Sequence, residues 1–336
     1  MVSSLEIHAY LLDRVLQIRD INLTPQVGKL PNSAFAEGTF LFRVASPTGE
    51  DESTRLYRAN AAKGDAVAQL NLGWLYDNGR GGLQKDEREA TRLYRLAANQ
   101  GNATAQNNLG INYRDGLGGL AKDDREAARL FKLAADQGNA SGQSNLGFFY
   151  EHGRGGLQKD EREATRLYRL AANQGNATAQ NNLGVNYKDG LGGLAKDDRE
   201  AARLFKLAAD QGNTNAQVSL GAFYEHGRGG LQKDEREAAR LYKLAADQGN
   251  VRGQANLGTL HERGLGGLPK NEREAARLYK LAADQGDAVG QAYLADFYER
   301  GVGGMPKDIR EATRLYKLTA DQGNEYAQAA LKRLGR

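Results

Sequence analysis

The sequence predicts an all-α fold in which pairs of helices stack on one another to form a solenoid. Three observations lead to this prediction: a repeat of 37 residues, glycines at fixed points of each repeat, and apolar residues at helical spacing between them. The chain has 336 residues, of which 42 are glycine and 5 are proline. Because the glycines recur with the repeat and proline is scarce, we interpret them as regular turns rather than as disorder.

The repeat is clearest in a column of glycines spaced 37 residues apart. These are Gly73, Gly110, Gly147, Gly184, Gly221 and Gly258. The seventh step reaches Ala295, and a tyrosine follows three residues after this position in every unit except one, where His261 replaces it. Seven units fill 65–323, and half-units precede and follow them at 53–64 and 324–336. A second period of 74 overlies the first, because 80–139 and 154–213 differ at only two positions.

Each unit is predicted to contain two helices, as the unit at 102–138 illustrates. Asn102 is a typical N-cap for the first helix, whose apolar face is Ala105, Leu109 and Tyr113. Glycines that accept a positive φ then end this helix: Gly116, Gly118 and Gly119. Asp123 and Glu126 have the spacing of a capping box, which predicts the start of the second helix. The apolar stripe of that helix comprises Ala127, Leu130, Phe131, Ala134 and Ala135.

Neither helix can bury its apolar stripe alone, so each unit depends on its neighbours. Stacking equivalent units covers these stripes and generates a solenoid. A small residue at the Gly110 position fits a close crossing of two helices. One large apolar residue in each inter-helix loop is predicted to anchor that loop: Leu83, Leu120, Leu157, Leu194, Leu231, Leu268 and Met305.

The repeated pattern resembles the Sel1-like repeats, which are relatives of the tetratricopeptide repeats. The matching residues of one unit are Leu109, Gly110, Tyr113, Gly116, Gly118, Asp123, Glu126, Ala127, Leu130, Ala134, Ala135 and Gly138. The resemblance covers 51–336 and implies a right-handed α-solenoid that works as a scaffold or adaptor without catalysis. Tyr94 and Phe131 stand where many such units carry tryptophan. The cysteine pairs of some secreted members are missing.

Residues 1–50 do not follow the repeat. Their pattern predicts one amphipathic helix, from Leu5 to Ile18, and a short strand over 36–44. One helix and one strand cannot bury a core of their own. The segment is therefore either a cap for the array or a remnant of an upstream domain. Its Phe40-Leu41-Phe42 run is similar to the last strand of bacterial caspase-like domains, although no catalytic Cys and His pair accompanies it.

Composition and motifs exclude most kinds of chemistry. The chain has no Cys, so disulfides, thiolate metal sites and a Cys nucleophile are excluded. Its net charge of +4 is close to balance, and acids match bases in every unit, so we predict no nucleic-acid partner. No apolar stretch is long enough for membrane insertion and no signal peptide is evident, which favours a cytoplasmic location.

The residues that could carry a cofactor are better explained by the repeat. His152 and His226 are copies two units apart, so we predict no metal site. The glycine-rich loops lack a phosphate-binding motif and follow helices rather than strands, so no cofactor is predicted. We find no catalytic residues, and the sequence predicts a protein that is not an enzyme.

One stripe of the first helices varies between units while the core residues stay the same. It contains three positions per unit, which in the first unit are Asn71, Trp74 and Asn78. The resemblance implies that the first helices line the concave side, so this stripe is the candidate partner-binding site. The candidate residues are Asn71, Trp74, Asn108, Ile111, Asn145, Phe148, His152, Asn182, Val185, His226, Asn256, Arg263, Tyr293 and Arg300.

Each class of side chain in this stripe has two interpretations. The asparagines either grip a peptide backbone or satisfy polar groups within the stack. The apolar residues, such as Trp74 and Phe148, either seat an apolar anchor of the partner or pack between units. Arg263 and Arg300 are expected to take an acidic group.

The predicted function is a non-catalytic scaffold that binds a protein or peptide in the concave groove. Two alternatives remain open: a regulatory appendage of a larger signalling or caspase-like protease system, and a hydrolase that acts through the groove.

Overall fold

The computed structural model describes residues 49–335, which form sixteen α-helices and no strand. The all-α prediction is therefore confirmed for this part of the chain. The helix and strand predicted before residue 49 lie outside the described residues. The helices are α1 (Glu52–Ala62), α2 (Ala66–Asn78), α3 (Glu87–Asn99), α4 (Ala103–Asp115), α5 (Asp124–Asp136), α6 (Ala140–His152), α7 (Glu161–Asn173), α8 (Ala177–Asp189), α9 (Asp198–Asp210), α10 (Thr214–His226), α11 (Glu235–Asp247), α12 (Val251–Arg263), α13 (Glu272–Asp284), α14 (Ala288–Arg300), α15 (Ile309–Ala320) and α16 (Glu325–Arg333).

First and second helices alternate along the chain, and their ends follow the predicted capping signals. The even-numbered helices are first helices, and the odd-numbered ones are second helices. The Asn102 side chain accepts a hydrogen bond from the Ala105 N–H at 2.9 Å and so caps α4. Asp123 caps α5 by accepting from the Arg125 and Glu126 N–H groups at 2.9 and 3.0 Å. Gly116 ends α4 in the left-handed conformation, with φ of 72°.

The predicted capping box is only half correct. Asp123 caps α5, but the Glu126 side chain does not reach back to the Asp123 N–H. That N–H already donates to the carbonyl oxygen of Tyr113 at 2.8 Å. Glu126 instead accepts two hydrogen bonds from Arg129, at 2.6 and 2.8 Å. A carbonyl oxygen near the C-terminus of the first helix therefore satisfies the donor that a capping box would have satisfied.

In six units the core forms where an aromatic ring of the second helix meets the glycine of the first helix. Phe131 is fully buried, and a Cβ atom added to Gly110 would lie only 2.7 Å from its ring. This contact confirms the close crossing predicted from the glycine column. Leu120 in the following loop is partly buried against the core of the preceding unit, so the predicted loop anchor is also confirmed.

In four first helices a buried glutamine joins successive units, a role that the sequence did not predict: Gln69, Gln106, Gln143 and Gln180. The Gln106 amide donates to the carbonyl oxygen of Ala98 at 3.3 Å, near the C-terminus of α3. Its oxygen accepts from Gln137, at the end of α5, at 2.7 Å. Because the last carbonyls of a helix have no partner within the helix, this side chain satisfies one of them.

The 74-residue period corresponds to two kinds of packing between units. Between α3 and α4, the buried Asn112 amide donates to the Thr91 hydroxyl at 2.7 Å, and this contact recurs two units later. In the intervening unit the equivalent residues are Ala128 and Phe149, which belong to one apolar cluster. Polar and apolar contacts thus alternate from Thr91 to Phe223, whereas the next two junctions are both apolar, with Ala239 opposite Leu260 and Ala276 opposite Phe297.

The half-units at both ends carry polar side chains at positions that are buried inside the array. Ser53 and Asn60 of α1 are equivalent to Ala90 and Ala97 of α3, which are fully buried. Lys332 of α16 is exposed at the position that the core glycine or Ala295 holds elsewhere. Polar side chains at such positions are typical of the terminal repeats of a solenoid.

Candidate partner-binding site

The predicted site residues lie together on one side of the first helices. In every unit the three variable positions are at least partly exposed, whereas Leu72, Gly73 and Leu75 on the other sides of α2 are buried. Among helices two apart in the chain, first helices make the main contacts, namely α4 with α6, α10 with α12, and α12 with α14. We call this strip the first-helix face, defined by Asn71, Trp74, Asn78 and their equivalents at steps of 37 residues.

The N-terminal part of the first-helix face presents apolar side chains. The Trp74 side chain is 44% exposed, and the guanidinium of Arg80 lies 5.4 Å from its ring centroid. Phe148 is half-buried, and the ring of His152 lies 4.2 Å from its own ring. Ile111 and Val185 are partly buried at the equivalent positions. This part of the face can therefore contact apolar groups, with cationic groups close to the aromatic rings.

Several asparagines of the face are engaged within the stack. Asn145 donates to the side-chain oxygen of Asn107 at 2.8 Å, which links α6 to α4. The side-chain oxygens of Asn108 and Asn182 accept hydrogen bonds from Asn107 and Asn181, at 3.3 and 3.2 Å. These contacts correspond to the structural role that the sequence left open. By contrast, the side chains of Asn71 and Asn256 form no hydrogen bond within 49–335.

The C-terminal part of the first-helix face is occupied by its own side chains. Arg300 pairs with Glu262 at 2.8 Å and with Asp296 at 2.6 Å. Tyr326 donates to Asp296 at 2.9 Å, and burial together with this hydrogen bond raises the pKa of Tyr326 to about 12. Tyr293 stacks on the ring of Tyr279 with centroids 5.0 Å apart. Arg300 thus already binds two carboxylates of this chain.

The remaining charged candidates behave differently from Arg300. Arg263 is exposed and forms no ion pair with the residues that the structure describes. His152 and His226 are exposed, and each Nδ1 atom lies 2.9 Å from a carbonyl oxygen of its own helix. Residues 49–335 contain no group of three or more His, Cys, Asp or Glu side chains that could hold a metal ion.

Tyrosines of the second helices donate hydrogen bonds to carboxylates of the first helices. The sequence did not predict these contacts. The Tyr168 ring is fully buried in α7, and its hydroxyl donates to Glu151 of α6 at 2.7 Å. Burial raises the pKa of Tyr168, and the charge of Glu151 raises it further. Equivalent donor and acceptor pairs are Tyr94 with Asp77, Tyr242 with Glu225, Tyr279 with Glu262, and Tyr316 with Glu299.

Two of the seven units have phenylalanine in place of this tyrosine, and they also lack the carboxylate. Where the second helix carries Phe131 or Phe205, the facing position carries Arg114 or Lys188 instead of an acid. A hydroxyl therefore occurs only where a carboxylate can accept its hydrogen bond. Comparing the seven units at a separation of 17 residues would have revealed this pairing from sequence alone.

We expect Tyr168→Phe to lower the free energy of unfolding by about 1–3 kcal/mol, because it leaves the Glu151 carboxylate without its donor. Adding Glu151→Lys reproduces the Phe205 and Lys188 combination and should recover most of this loss. Urea unfolding followed by circular dichroism measures both variants. A single variant as stable as the wild type, or a double variant less stable than the single one, would contradict the pairing rule.

No helix among the described residues is long and apolar enough to cross a membrane.

Comparisons with known proteins agree with this architecture. Seven consecutive segments match the Sel1 repeat: 66–102, 103–139, 140–176, 177–213, 214–250, 251–287 and 288–324. No curated protein matches the chain.

Two solved structures are similar over most of this chain. One is c5321, a protective antigen present in uropathogenic Escherichia coli strains and displaying an SLR fold. It is 31% identical with a TM-score of 0.55, and the match covers 84% of this chain and 67% of c5321. The other is a Sel1 repeat protein from Oxalobacter formigenes, which is 30% identical with a TM-score of 0.62. Here the match covers 76% of this chain and 96% of that protein. With the repeated helix pairs described above, these matches confirm the predicted resemblance: the chain belongs to the Sel1 repeat family.

Proposed function

We propose that this chain is a non-catalytic adaptor that binds an apolar segment of a protein partner along α2, α4 and α6. Sel1 repeat solenoids are generally protein–protein interaction scaffolds, which supports the class of function. The location of the binding site rests on the side chains of the first-helix face.

The exposure of Trp74 is the observation that carries this proposal. Tryptophan is enriched among the residues that contribute most to protein interfaces, because it combines a large apolar area with few rotatable bonds. Trp74 is 44% exposed, whereas the aromatic rings of the second helices from α3 to α15 are buried. Ile111 and Phe148 continue its row at one side chain per unit.

The geometry of the stack also constrains the ligand. Packed helices lie about 8–10 Å apart, and an extended peptide advances about 3.3 Å per residue. A peptide that runs along the face therefore passes one unit about every three residues. We expect a ligand with apolar side chains at every third position, bound where the face is not already occupied by ion pairs such as that of Arg300.

Replacing both Trp74 and Phe148 with alanine tests the proposal, since Ala222 occupies the same position in a later unit. We expect the affinity for a captured partner to fall about 30-fold or more, the effect of removing an interface hot spot. The matched control replaces Leu244 and Leu281 with alanine. These leucines are similarly exposed, at 39% and 37%, but belong to second helices.

Titration of the purified partner into each variant provides the measurement. The control should bind like the wild type. Unchanged affinity of the Trp74 and Phe148 variant would overturn the proposed site. If only the control variant lost affinity, the binding site would lie on the second helices instead.

A further inference from the structure

Two equivalent grooves lie between second helices, away from the first-helix face. The first, between α3 and α5, has a volume of about 440 Å³, and its copy between α7 and α9 has a volume of about 450 Å³. Leu109 and Leu130 form the buried floor of the first groove, and Leu133 is 38% exposed at its rim. Because Leu109 and Ile111 are two residues apart on one helix, the groove opens on the other side of α4.

Arg95 and Arg169 lie at the edges of these two grooves, and the cations at the equivalent positions of other units differ in whether they form an ion pair. In four units this residue is a lysine paired with an aspartate four residues later: Lys132 with Asp136, Lys206 with Asp210, Lys243 with Asp247, and Lys280 with Asp284. Their N–O distances are 2.9–3.2 Å. Arg58 of α1 pairs with Glu50.

Lys317 of the last unit forms no ion pair with Asp321 or any other described residue, and the two grooves described above also carry unpaired cations. The residues at the edge are Arg95 and Arg169, and the position four residues later holds Asn99 or Asn173. Neither arginine forms an ion pair with a residue in the described part of the chain. Arg95 donates a long hydrogen bond of 3.4 Å to the Tyr113 hydroxyl. Because this hydroxyl is neutral, the bond leaves the positive charge of Arg95 uncompensated.

We propose that each of these two grooves binds a protein segment in which a carboxylate neighbours a leucine-sized or phenylalanine-sized side chain. The apolar side chain packs against Leu133 at the rim of the first groove, or against its copy Leu207, which is 40% exposed. The carboxylate accepts hydrogen bonds from Arg95 or Arg169, because a guanidinium binds a carboxylate through two parallel donors. The volume of each groove falls within the usual range for ligand sites.

The arrangement favours a partner with two such segments. The grooves are copies 74 residues apart, so one partner can occupy both and gain affinity through the higher effective concentration of its second segment. This site is independent of the proposed function, which uses the opposite side of the first helices.

Asparagine-to-aspartate substitutions give a test with an internal control, because five other units already carry aspartate at this position and in four of them it pairs with the lysine. The probe is the peptide acetyl-Asp-Leu-Asp-Phe-Asp-amide, titrated into the full chain by calorimetry. We expect two equivalents to bind the wild type, and one to bind either Asn99→Asp or Asn173→Asp. In the double variant the affinity should fall about tenfold or more, as expected when a charge-assisted hydrogen bond is lost.

Two further titrations separate this site from the first-helix face. A peptide with lysine in place of each aspartate should not bind, and Trp74→Ala should leave two-site binding unchanged. Equal binding by the wild type and the double variant, or no saturable binding by the wild type, would overturn the proposal. Loss of peptide binding in Trp74→Ala would also overturn it, since it would place the peptide on the first-helix face.

Discussion

Replacing Phe131 with alanine is expected to lower the free energy of unfolding by about 3–5 kcal/mol, the range for a buried aromatic side chain. The Phe131 ring is fully buried against Gly110 of its own unit. It also meets the Phe149 ring of the next unit edge-to-face, with centroids 5.2 Å apart. Its removal therefore leaves a cavity at the junction of two units. Urea unfolding and amide hydrogen exchange measure the size and the location of the effect.

The matched control is Leu133→Ala on the same helix. Leu133 is 38% exposed, so we expect a loss below about 1 kcal/mol. Because each unit contacts only its neighbours, faster exchange in Phe131→Ala should be confined to the helices around α5. Equal losses for the two variants, or faster exchange throughout the array, would contradict this description of the core.

Replacing Gly192 with alanine is expected to lower the free energy of unfolding by about 3 kcal/mol or more, through backbone strain and overpacking together. Gly192 has φ of 61°, and a Cβ atom there would overlap the hydroxyl of Thr165 and approach the carbonyl oxygen of Glu161. Both atoms belong to α7 of the preceding unit. The glycine thus permits the loop after α8 to lie directly on its neighbour.

Gly175 provides the control for backbone strain alone. Its φ is 86°, and a Cβ atom added there would have no atom of the described residues within 4 Å beyond its immediate chain neighbours. We expect Gly175→Ala to cost about 1–2 kcal/mol, the penalty for a left-handed residue with a side chain. Melting temperatures of the two variants check the comparison. If Gly175→Ala proves the more destabilising, close packing of this loop on the preceding unit is not what requires glycine at position 192.

The sequence predicted those features that depend on neighbouring residues. Helix starts and ends follow from local hydrogen bonds, such as that of the Asn102 cap, so the repeat defined them well. The close crossing at Gly110 was also predictable, because only a small side chain leaves room for the Phe131 ring. The contact made by Glu126 was not predictable, since it depends on whether the N–H of Asp123 donates to the carbonyl oxygen of Tyr113 in α4 instead.

The candidate site was less predictable because its side chains meet across units. The pairing of Arg300 with Glu262 joins residues 38 apart, and no helical periodicity contains that separation. Trp74 and Phe148 occupy equivalent positions, yet only Trp74 is largely exposed. The contacts of a side chain at this position depend on its size and on the neighbouring helices. The sequence pattern of a single unit does not specify those neighbours.

The most direct test of the proposed binding face uses Trp74, which is the only tryptophan in the chain. Incorporating 5-fluorotryptophan places a single fluorine resonance on the first-helix face. When a purified partner is added, we predict that this resonance shifts and that its sensitivity to replacing H₂O by D₂O falls, because the partner covers the ring. A partner that binds the chain while the resonance and its solvent sensitivity stay unchanged would contradict the account.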